Sequence, residues 1–66
     1  MEYFYIWSVE HNQWWGVQAC GYVKDITRAG RYPRAKAIEI CQQANFNGID
    51  EIPVPVELMD HIRKVS

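Results

Sequence analysis

From Tyr3 to Val9 the chain reads Tyr-Phe-Tyr-Ile-Trp-Ser-Val, rich in aromatic and β-branched residues without a breaker, and this predicts a strand. Neighbours on a strand face opposite ways, so Tyr3, Tyr5, Trp7 and Val9 share one side, Phe4 and Ile6 the other. Both sides are apolar, which places the strand inside the sheet or covered on both faces. Polar Glu10-His11-Asn12-Gln13 predicts a turn, and Trp14-Trp15 a short returning strand broken at Gly16. A second clear strand is expected over Gly21–Ile26, with Gly21 marking a bulge or a close backbone approach. The connection 27–32 has Gly30 available for a positive φ.

Pro33 suits the first turn of a helix, where its missing N–H costs nothing. Ala37, Ile40, Cys41 and Ala44 then recur at helical spacing, with Ile38 on the shoulder and Ala35, Glu39 and Gln42 outward. Residues 45–48 supply the stop. The segment Ile49–Val56 predicts an extended strand whose two prolines confine it to an edge or force it out of the ladder. Pro55 can also open a terminal helix with an apolar stripe of Leu58, Met59, Ile62 and Val65, flanked by His61. The predicted class is α+β: one small domain over residues 1–66, with a two- to three-stranded, mainly antiparallel sheet packed on one helix. Its order is β-β-α-β, with a short helix able to follow.

Composition sharpens this. With 66 residues, 48% apolar and 14% aromatic, the chain is expected to fold rather than stay disordered, though with little margin. A net charge of −1 is neither the strongly acidic surface of a nucleic-acid mimic nor the basic footprint of a non-specific DNA binder. Yet Lys24, Arg28, Arg31, Arg34 and Lys36 crowd into one segment beside a single acid, Asp25. No leader pattern follows Met1 and no apolar run nears the roughly 18 residues of a membrane span, so a cytoplasmic protein without membrane contact is expected. Cys20 and Cys41 are then expected as reduced thiols packing as small hydrophobes. They form no metal-binding spacing with His11 and His61, and no metal or cofactor is expected.

The ordered pattern Trp14-Trp15-Gly16, Gly21-Tyr22, Ala29-Gly30-Arg31-Tyr32, Ala37 to Cys41, Ala44-Asn45 and Ile52-Pro53-Val54-Pro55 resembles a family of small bacterial, phage and prophage proteins. The similarity runs from Tyr5 to Leu58 and brings no catalytic residue with it. Two departures stand out: Val17 replaces a proline after the Trp-Trp-Gly, and Tyr32-Pro33-Arg34-Ala35-Lys36 lacks a Thr cap and an acidic first turn.

His11, Cys20 and Asp25 are titratable but form no recognisable catalytic motif, so no enzymatic activity is expected. A domain this small is also expected to struggle to enclose a cleft of several hundred Å3. Trp14, Trp15, Tyr22 and Tyr32 with Arg28, Arg31 and Arg34 form instead a candidate contact surface. Trp, Tyr and Arg dominate protein–protein hot spots, and the same types stack on bases and hold phosphates. The leading expectation is a non-enzymatic, phage-type interaction protein that blocks a host protein, with anti-defence and anti-CRISPR activity as its most concrete form. The alternatives are a nucleic-acid or nucleotide binder and a homo-oligomer, with a homodimer formed by strand pairing. Trp15 is expected to anchor the turn in the core and Trp14 to lie more exposed beside the basic helix start.

Overall fold

The computed structural model describes residues 2–45, 48 and 50–65, the last three by backbone alone. Five strands and two helices follow in the order β1 (Tyr3–Ser8), β2 (Gln13–Trp15), β3 (Tyr22–Val23), β4 (Tyr32–Pro33), α1 (Arg34–Ala44), β5 (Glu51–Pro55) and α2 (Val56–Val65). The result is a small α+β domain with an antiparallel sheet packed against helices. It carries more strands than expected, because the sequence gives no sign that Tyr32–Pro33 pairs with Tyr3 and Phe4.

β1 is the hub. β5 lies antiparallel along it from Phe4 to Ser8, occupying one whole edge. Its other edge is shared, with β2 beside Trp7 and Ser8 and β4 beside Tyr3 and Phe4. The apolar two-sidedness of β1 is explained by a helix on each face. Ile6 packs with Tyr32 and with Ala37, Ile40 and Cys41 of α1, and Phe4 and Trp15 lean on this cluster. The next residue back, Tyr5, packs with Ala29 and with Val56 of α2, joined by Trp14, Val23, Ile26, Val54 and Met59. Consecutive residues therefore enter separate cores.

Several local expectations change. The strand expected over Gly21–Ile26 ends at Val23, because Asp25 accepts the Thr27 N–H at 3.0 Å and caps a short 3-10 turn over Ile26–Arg28. Pro33 sits one residue before α1, in β4, rather than inside the first helical turn. Gly30 does not adopt a positive φ; the position needs glycine because a Cβ there would lie 2.6 Å from the Gly16 carbonyl oxygen. The α1 stripe is as expected at Ala37, Ile40 and Cys41, with Ile38 exposed and Asn45 as C-cap. Phe46, Asn47 and Ile49, and the side chain of Val65, lie outside the described residues.

The prolines of β5 remain in the ladder, on an edge. The Val9 N–H donates to the Asp50 carbonyl at 2.7 Å, which fixes the parity of the pair. Asp50, Ile52 and Val54 turn their backbone groups toward β1, so Glu51, Pro53 and Pro55 turn theirs outward. Two of those three positions lack an N–H. The third is taken: the Asn45 side chain accepts the Glu51 N–H and donates to the Glu51 carbonyl, both at 2.8 Å. Over Glu51–Pro55 no free N–H faces outward, and this is one of the ways natural sheets avoid edge-to-edge pairing.

Candidate functional site

Trp14 and Trp15 divide between the two faces of the sheet, as alternation requires, and both are half-buried. Trp14 stands opposite Trp7, with ring centroids 4.8 Å apart, and also edges onto Tyr5 at 5.8 Å. Trp15 edges onto Tyr22 and Tyr32 on the α1 side. The expectation of an anchored Trp15 is met, and Trp14 is anchored as well: it packs on the α2 side of β1 rather than standing free at the helix start.

Tyr32 is buried and acts as a clamp, not a contact residue. Its hydroxyl donates to the Gly16 carbonyl and accepts the Ala19 N–H at 2.9 Å. This fixes the loop from Gly16 to Gly21, where Gln18 and Ala19 both adopt positive φ and Gly16 N–H bonds back to the Gly21 carbonyl at 2.8 Å. Cys20 lies in that loop and is exposed, against the expectation of a packed thiol, whereas Cys41 is buried as expected; both are free. Tight closure of the loop by backbone bonds leaves its side chains outside.

A cluster that sequence patterning does not reveal surrounds Glu51. This acid is only 5% exposed, and its carboxylate accepts the Trp15 indole N–H at 2.7 Å. Burial pushes its pKa above the ordinary value, helped by Asp50 and Glu10, while the indole bond and His11 oppose the rise. Burial, with the Glu51 charge behind it, likewise raises the Cys41 thiol. The His11 ring stacks on the Tyr22 ring at 4.0 Å, and the His11 backbone N–H donates to the Oγ of buried Ser8 at 3.2 Å. Partial burial, and then Glu51 and Glu10, hold the Tyr22 phenol protonated beyond its usual range. The sequence signal available for Glu51 was its alternation with Pro53 and Pro55, which gives those three residues one face. An acid heading such a row reads as solvated until a partner is seen.

The five clustered cations are all exposed and meet different neighbours. Arg31 holds its guanidinium 5.9 Å from the Tyr5 ring centroid, Arg34 lies 3.8 Å from Glu2, and Lys36 lies 3.9 Å from Glu39. Lys24 and Arg28 have no ion pair among the described residues. These two line an open cleft of about 420 Å3 together with Tyr22, Val23 and Asp25. A cleft of this size was not expected in so short a chain. It forms because β3 ends early and the chain turns over Asp25.

Of the seven residues in the candidate contact surface, Tyr22 and Arg28 thus meet at the cleft, while Trp14, Trp15 and Tyr32 serve the cores and Arg31 and Arg34 are engaged elsewhere. His11, Cys20 and Asp25 occupy three separate settings: a ring stack, an exposed loop and a backbone cap. Among the described residues no group of three or more His, Cys, Asp or Glu is placed to hold a metal ion. Nor is any described helix long and apolar enough to cross a membrane. Comparison with protein-family models, with curated proteins and with solved structures finds no match to this chain.

Proposed function

We propose that this chain is a non-enzymatic interaction protein that docks on a protein partner through the outer side of α2. The observation that carries the reading is the state of that helix. α2 buries Val56 and half-buries Met59 against the sheet, yet leaves Leu58 and Ile62, one turn apart, 51% and 46% exposed. Ile52, on the sheet face that α2 covers, is exposed as well. An amphipathic helix with apolar anchors at i and i+4 is a common way of filling a groove on another protein.

In the setting that the family resemblance implies, the partner is a host protein and docking blocks it, with anti-defence, including anti-CRISPR, activity as the consequence. The free thiols suit the reducing cytoplasm. A nucleic-acid track gains little support, because only Lys24 and Arg28 of the five clustered cations line the cleft. Strand pairing between copies through β5 gains none, because that edge is sealed.

The test compares the wild type with Leu58→Asp/Ile62→Asp as bait in host lysate, after circular dichroism confirms that both fold. A stoichiometric partner retained by the wild type and lost by the variant is the expected result. Equal capture by both, or no stoichiometric partner, overturns the reading.

A further inference from the structure

The Tyr22–Arg28 cleft is lined by residues other than Leu58, Ile62 and Ile52 of the proposed docking surface, and it brings two exposed cations together. Its volume of about 420 Å3 falls within the range of small-molecule sites. Lys24 and Arg28 are both exposed, and they are the two cations of the basic segment with neither an ion pair nor a ring contact among the described residues. Arg31, Arg34 and Lys36 have each found a ring or a carboxylate within the fold. The third charged group lining the cleft, Asp25, is turned to the backbone by its bond from the Thr27 N–H. Two cations against one acid leave the cleft net positive. The remaining lining is Val23, whose side chain packs into the α2-side core, and Tyr22, 40% exposed with its ring stacked on His11.

We infer that this cleft binds a phosphorylated small molecule with a flat ring, of the nucleoside monophosphate class. The phosphate sits between the Lys24 ammonium and the Arg28 guanidinium, whose fork matches a phosphate edge. The ring rests against the exposed Tyr22 side chain. A polymer is disfavoured by the same observations that favour a small ligand. A nucleic-acid strand needs a row of cations along its backbone, and this cleft is lined by two.

The test is a titration of the isotope-labelled protein with adenosine monophosphate, followed by backbone amide shifts. Parallel arms use adenosine, inorganic phosphate and a single-stranded oligonucleotide. Expected are saturable shifts centred on residues 22–28, with the nucleotide binding more tightly than either phosphate or nucleoside alone. Lys24→Ala and Arg28→Ala should each weaken binding about tenfold, as loss of a charged hydrogen bond does. Both side chains are exposed, so the fold is unaffected. Arg34→Ala and Lys36→Ala should leave affinity within about twofold, since neither residue lines the cleft. Absence of saturable shifts, or equal weakening by all four substitutions, overturns the proposal. So does an oligonucleotide that binds more tightly than the monophosphate.

Discussion

Replacing Asn45 by alanine removes three hydrogen bonds at once. Its amide oxygen accepts the N–H groups of Asp50 and Glu51, and its amide nitrogen donates to the Glu51 carbonyl, all at 2.8 Å. Asp50 is exposed, so water replaces the first bond and its loss costs little. Glu51 is buried, and both of its outward backbone groups lose their partner. At about 1–1.5 kcal/mol for each of these two and about 0.5 for the first, the change costs about 3 kcal/mol. Total stability for a chain of this length is about 3–10 kcal/mol, so the variant should lose a large share of it. Urea unfolding followed by tryptophan fluorescence gives the number, and amide exchange at Glu51 should accelerate along with it. A loss below about 0.5 kcal/mol would show that the Asn45 side chain does not serve as a strand edge, and the account of the sealed edge would fall.

Three further outcomes are expected. The raised pKa of Glu51 means that the unfolded chain gives up this proton first, so wild-type stability falls as pH climbs from the ordinary value of 4.5 toward the folded one and stays reduced above it. Glu51→Gln keeps an acceptor for the Trp15 N–H and should match the wild type in acid yet exceed it at about pH 7; a less stable variant at neutral pH contradicts this. Gly30→Ala drives a Cβ to within 2.6 Å of a backbone oxygen and should cost about 1–3 kcal/mol, read as a drop in Tm. In a thiol-labelling assay, exposed Cys20 should react quickly and buried Cys41 only as the protein opens, giving two separated phases.

How much of this was legible before folding depends on the range of the interaction. The central strand, the opposite orientation of the two indoles and the buried stripe of α1 follow from period-two and helical spacing, which neighbouring residues determine. Period-two spacing carries β3 too far, because Val23 and Ile26 favour a strand, whereas one carboxylate, Asp25, turns the chain between them. The candidate surface dissolved for a related reason. Aromatic and basic residue types identify contact chemistry, but whether Arg31 meets Tyr5 or Arg34 meets Glu2 depends on elements far apart in sequence. Glu51 was the hardest to foresee, since its indole partner lies 36 positions away.

The seal on β5 also has a place in time. β1 forms its hairpin with β2 from nearby sequence, but its other edge stays open until Glu51–Pro55 arrive from the far end of the fold. Asn45, Pro53 and Pro55 protect the finished sheet only, because they reach it with the strand they guard. Until then β1, apolar on both faces, is a template for any passing strand, and long-range pairing of this kind is slow to form. The chain's greatest hazard of misassembly therefore belongs to its synthesis and folding rather than to its native state.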